Sequence, residues 1–165
     1  MDKSYISVIL PQVSDEGRLA GWLDNVFSQG VDVEVLICDR IDPERLASLG
    51  EDILAKVKVF PAQDKAVALK KAISDAQGGY ILFSDVGITY ADDAFAALLA
   101  RGVCVFNGAS ADGNLFFADF FFDEIASKNG YFCCLMNAET VQKNQILPVG
   151  GTAFSIMNMI ADYAR

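Results

Sequence analysis

The chain has 165 residues, a hydrophobic fraction of 53% and 12 Phe against 21% charged residues, which suits one well-packed core and excludes the disordered class. Its formal net charge of -9 argues against a nucleic-acid backbone or an anionic membrane surface as partner. With no His anywhere, His-based acid/base work, Ser/His/Asp triads and His-containing metal sites are excluded, and carboxylate, lysine, hydroxyl, thiol and backbone chemistry remain.

The length predicts a single domain over residues 1–165. No run reaches the roughly 18 apolar residues of a membrane span, and Met1-Asp2-Lys3-Ser4-Tyr5 is no signal region. A soluble cytoplasmic protein is therefore expected. The four cysteines, Cys38, Cys104, Cys133 and Cys134, lack C-x-x-C spacing and read as small buried hydrophobes rather than a zinc cage or disulfide framework.

Taken in order, Tyr5 to Leu10 is an apolar strand interrupted only by Ser7 and closed by Pro11. Ser14-Asp15-Glu16-Gly17 caps a helix from Arg18 to Gln29, with Leu19, Trp22, Leu23, Val26 and Phe27 at helical spacing. Val33 to Cys38, apolar around Glu34, is a second strand, closed by Asp39. A helix starts at Asp42-Pro43-Glu44 and carries Leu46, Leu49, Ile53 and Leu54 on one face. Val57 to Phe60 is a short strand. Lys65 to Gln77 is a helix offering Val67, Leu69, Ala72, Ile73 and Ala76 to the core, with a basic patch in Lys65, Lys70 and Lys71.

Gly78-Gly79 then leads into Tyr80-Ile81-Leu82-Phe83-Ser84-Asp85-Val86-Gly87, an apolar strand ending in one carboxylate. Such a run bounded by glycines is the pattern of a strand buried on both faces of a parallel sheet. Ligands in open α/β sheets bind beyond the carboxyl ends of the strands, which sets Asp39 and Asp85 at the rim of a crevice. The βα alternation over residues 5–87 predicts a mainly parallel sheet in a three-layer α/β/α sandwich.

Beyond Asp85 the pattern changes. Tyr90-Ala91-Asp92-Asp93 caps a helix through Leu99, and Val103 to Asn107 with Leu115 to Phe117 read as an added antiparallel hairpin around Ala111-Asp112-Gly113-Asn114. The phenylalanines between Phe116 and Phe122 suit a helical stripe or a sheet face equally, and imply core packing or a homo-oligomer contact. Tyr131 to Met136 is a further strand, Glu139 to Asn144 a short helix, and Thr152 to Tyr163 a terminal helix.

In this order the motifs resemble the nucleotide-sugar-binding half of inverting family 2 glycosyltransferases, which have the GT-A fold. Ile6-Ser7-Val8-Ile9-Leu10-Pro11 with Asp15-Glu16 is similar to that family's opening strand and acidic helix start. Glu34-Val35-Leu36-Ile37-Cys38-Asp39 is similar to the strand whose last aspartate contacts the uridine base, and Gly78 to Asp85 to the strand entering the metal-binding D-x-D. The resemblance implies a nucleotide-binding half over about residues 1–100 and an acceptor-side half over about 101–165. It also implies a UDP-type nucleotide-sugar held by Pro11, Asp39, Lys70, Lys71, Ser84 and Asp85, and an Mg²⁺ or Mn²⁺ on Asp85 with help from Asp92 or Asp93.

Three departures qualify this. The second D-x-D position is Gly87, and one carboxylate anchors a divalent ion poorly. Leu69-Lys70 stands where the family has Arg-Asn. At Gly150-Gly151-Thr152, where the family places the general base that inversion needs, there is no carboxylate. Asp119, Asp123 and Glu124 are the substitutes, a solvated acidic turn being their other explanation. The expectation is a glycosyltransferase-like domain that binds a nucleotide-sugar with reduced or absent transfer. The alternatives are an active inverting enzyme and a structural or oligomerisation module.

Overall fold

A computed structural model describes residues 4–13, 15–84, 86–87, 89–101, 104–108, 115–116 and 131–144. Strand β1 (Tyr5–Leu10) leads through a 3₁₀ turn (Glu16–Arg18) into α1 (Leu19–Phe27). Then come β2 (Asp32–Ile37), α2 (Pro43–Ala47), α3 (Glu51–Leu54), β3 (Val57–Val59), α4 (Lys65–Asp75) and β4 (Tyr80–Phe83). The later elements are α5 (Ala94–Arg101), β5 (Cys104–Gly108), β6 (Leu115–Phe116), β7 (Tyr131–Asn137) and α6 (Ala138–Asn144).

The strands form one sheet in the order β3-β2-β1-β4-β7-β5-β6. The first four are parallel, and the pairs β4–β7, β7–β5 and β5–β6 are antiparallel. The sheet is thus mixed, a four-stranded parallel half joined to an antiparallel half. The antiparallel half begins with β7, drawn from residues 131–137 and inserted between β4 and β5. The expected added hairpin is reduced to two register pairs between β5 and β6, Asn107 with Phe116 and Gly108 with Leu115. The residues of its turn, 109–114, lie outside the described residues, as do the terminal helix expected at 152–163 and most of the Phe-rich segment.

Period-2 alternation explains the two cores. Ile6, Val8 and Leu10 of β1, with Val33, Val35 and Ile37 of β2, face α1 and α5, where Trp22, Leu23, Val26, Phe95 and Leu98 close one layer. Ile9 and Leu36 point the other way, against Leu69, Ala72 and Ile73 of α4 and Val141 of α6. Helices therefore cover both faces, as the α/β/α sandwich requires.

Local departures have local causes. The helix expected from Asp42 breaks in two. Asp42 caps α2 by accepting from Glu44 N at 2.9 Å, whereas Gly50 starts α3 in an extended conformation. The break leaves Leu54 36% exposed rather than on the buried face. In α4, Val67 is 46% exposed, because Ala68, Leu69, Ala72 and Ile73 already fill the helix's buried stripe. The strand expected through Gly87 ends at Phe83, where the backbone turns.

Candidate functional site

The chain order creates the site. From β1 the chain moves outward to β2 and then β3, packing α1 and Leu46 and Ile53 of α2 and α3 on one face, and returns with α4 on the other face to lay β4 on the far side of β1. The helices that follow β1 and β4, α1 and α5, share one face while α4, which leads into β4, covers the other. The strand order thus reverses beside β1, and the crevice of such a sheet falls at the carboxyl ends of these strands. Leu10 registers with Ile37 and Ile9 with Phe83, so the residues that follow emerge side by side. Ladder bonds run one residue further, from Cys38 N to Leu10 O at 2.9 Å and from Ser84 N to Ile9 O at 3.0 Å. With strands about 5 Å apart, the exits bearing Asp39 and Ser84 flank Pro11 within about 10 Å.

Asp39 shapes this rim. Its Oδ2 accepts from Val13 N at 2.9 Å and its Oδ1 from Arg40 N at 2.8 Å. The carboxylate thereby ties the loop after β1 to the end of β2, and each oxygen keeps a lone pair for a further donor. Pro11, the first residue after β1, is buried. Cys38, one residue earlier, is a buried free thiol whose pKa is pushed up to about 12, first by burial and then by the Asp39 charge. It is a small core residue and not a nucleophile.

Ser84 is buried, and its Oγ meets the Tyr90 hydroxyl at 2.5 Å. Lys70 and Lys71 are exposed at the middle of α4. Asp92 and Asp93 are exposed just ahead of α5. Asp85, Asp119 and Asp123 lie outside the described residues. Among the described residues no three Asp, Glu or Cys side chains stand together as a metal-binding group.

Sequence reasoning missed the residues that hold the loop between β4 and α5. Tyr90 N donates to Asn25 Oδ1 at 2.8 Å, and Asn25 Nδ2 donates back to Tyr90 O at 2.9 Å. Just beyond the end of α1, Gln29 Nε2 donates to Ala91 O at 3.2 Å, and its Oε1 accepts from Phe95 N at 3.2 Å. Two amides at i and i+4 were legible as one helix face. Their partners, more than 60 residues away, were not. Beside this contact lies a cleft of about 310 Å³ lined by Arg18, Trp22, Asn25, Val86 and Thr89. The Trp22 Nε1 is buried with no hydrogen-bond partner among the described residues.

No family profile matches this sequence, and no curated protein matches it. Solved structures do share its fold. It is similar to the crystal structure of S. aureus TarS 1-349, with a TM-score of 0.64 and 16% identity, over 99% of this chain and 55% of that one. It is likewise similar to the same TarS segment in complex with UDP-GlcNAc, with a TM-score of 0.62 and 15% identity, over 95% of this chain and 53% of that one. The mannosyltransferase PcManGT from Pyrobaculum calidifontis, in complex with GDP-Man and Mn²⁺, gives a TM-score of 0.63 and 15% identity over 99% of this chain and 53% of that one. The chain thus spans about half the length of these structures. No helix among the described residues is long and apolar enough to cross a membrane. The chain has a GT-A-like α/β fold, the one that its motif order predicts.

Proposed function

We propose that this chain is a GT-A-like nucleotide-binding domain whose ligand is a nucleoside diphosphate or nucleotide-sugar, with little or no sugar transfer of its own. The observation that carries this reading is the shared carboxyl edge of β2, β1 and β4, where Asp39 stands two residues beyond β2 and Ser84 one residue beyond β4. In the proposal residues 1–100 supply the nucleotide side. The base lies against Pro11 and donates an N–H to a remaining lone pair of Asp39, and the exposed Lys70 and Lys71 offer charge to a diphosphate. Asp85, outside the described residues, is by its place in the motif the candidate ligand for an Mg²⁺ or Mn²⁺ that would neutralise the diphosphate. Two neighbours support a nucleotide-sugar as the ligand class, one solved with UDP-GlcNAc and the other with GDP-Man and Mn²⁺.

Weak transfer follows from the carboxylates. Gly87 replaces the second ligand of the D-x-D pattern, and Asp119 and Asp123 are the candidates left for a general base. Calorimetric titration with UDP and with GDP, each with and without Mn²⁺, tests the reading. Binding that is weakened about tenfold or more in Asp39→Ala supports it. No binding of either nucleotide overturns it. Release of free sugar from UDP-GlcNAc or GDP-Man at rates above a metal-only control overturns the inactive half of the proposal.

A further inference from the structure

The loop between β4 and α5 leaves the sheet at the carboxyl edge of β4, beginning with Ser84. It is not secured by packing alone. Tyr90 and Phe95 anchor it in the core, with ring centroids 4.8 Å apart in an edge-to-face arrangement. On its other side the cleft lined by Trp22, Val86 and Thr89 separates it from α1. What spans that separation is polar. Asn25 holds both backbone groups of Tyr90, and the buried Gln29 bridges Ala91 O and Phe95 N. A primary amide is the side chain suited to this task, since it donates and accepts at once. The loop ends at Asp93 with φ of 61°, a left-handed conformation that a non-glycine residue holds only when its surroundings fix it.

We infer that Asn25 and Gln29 are positioning residues that lock the β4–α5 loop in its ligand-ready shape, so that the crevice meets a nucleotide diphosphate preformed. The inference rests on the nucleotide reading for its ligand, and on the hydrogen bonds of Asn25 and Gln29 for the lock itself. A preformed loop loses less ordering entropy on binding than one that must fold around its ligand. Each amide therefore contributes to affinity without touching the nucleotide.

The test combines hydrogen exchange with calorimetry on the full chain and on Asn25→Ala, Gln29→Ala and the conservative Asn25→Asp. In Asn25→Ala the Tyr90 amide exchanges at least about tenfold faster while the amides of β1 keep their protection. In Gln29→Ala the Phe95 amide does the same. Asn25→Asp keeps the acceptor for Tyr90 N and restores part of that protection. The affinity for UDP with Mn²⁺ falls about tenfold in the alanine variants and less in Asn25→Asp. Unchanged exchange at Tyr90 and Phe95 overturns the lock, as does loosening that spreads to β1. Faster exchange with unaltered UDP affinity overturns the positioning role. Failure of the unaltered chain to bind UDP or GDP overturns the nucleotide reading instead, and the lock is then decided by exchange alone.

Discussion

Ser7 Oγ donates to Glu34 Oε1 across 2.6 Å inside the parallel sheet, where the two residues are register partners on β1 and β2. Ser7 is 0% and Glu34 4% exposed. The same carboxylate oxygen accepts from Gln77 N at 2.7 Å, and Ser7 Oγ accepts from Gly78 N at 2.9 Å. Lys58 Nζ stands 3.6 Å from the other oxygen. The buried charge is satisfied by fixing the turn from α4 into β4, at the end of the sheet opposite the crevice.

Glu34→Ala strips the acceptor from the buried Ser7 hydroxyl and from the part-buried Gln77 amide, and a loss of about 2–4 kcal/mol follows. Lys58→Ala costs under about 1 kcal/mol, because that side chain is 44% exposed and its pair is screened. Urea midpoints at unchanged slope check both values. Equal losses in the two variants would show that the ion pair, and not the hydrogen-bonded turn, carries the stability.

Two glycines make opposite predictions. A Cβ on Gly78 would lie 2.6 Å from Ser7 N and 2.7 Å from Tyr5 O, both backbone atoms that cannot swing aside. Gly78→Ala should destabilise by about 1–3 kcal/mol. Gly21 sits inside α1 with nothing within 4 Å of such a Cβ. Gly21→Ala should add about 0.5–1 kcal/mol and raise the melting midpoint by about 1–4 °C.

Alkaline pH weakens the fold through Cys38. Its folded pKa of about 12 lies above the ordinary 9.0, so from about pH 9 upward the unfolded chain releases a proton that the folded chain keeps. Stability is full below that window and falls as pH rises through it. Tyr5, raised by burial and by the charges of Glu34 and Asp32, acts in the same direction. Cys38→Ala should flatten the fall in urea midpoint between pH 8 and about 10.5. Peptide-resolved labelling at pH 8 should find Cys38 modified only after denaturation.

Asp39→Asn tests the rim. The replacement keeps one acceptor but turns an NH₂ toward either Val13 N or Arg40 N, the two amides that the carboxylate now holds. A loss of about 1–2 kcal/mol in thermal or urea unfolding is expected. Unfolding indistinguishable from the unaltered chain would mean that the loop after β1 does not depend on this carboxylate.

By itself the sequence determined the alternation of strands and helices up to Phe83 and their two-faced burial, because period-2 and period-3.6 patterns are local records of which face meets the core, while the GT-A-like class came from the resemblance of its motif order. Asp42 and Pro43 likewise marked a helix start through chemistry acting over two or three residues. Only the tertiary structure decided that Ser7 meets Glu34, that β7 inserts between β4 and β5, and that Asn25 and Gln29 hold a loop more than 60 residues away. A polar residue in an apolar strand, or an amide on a helix, announces that a partner is needed, since burying it unpaired is costly. Which partner answers depends on strand order and register, and those are settled when the whole sheet assembles.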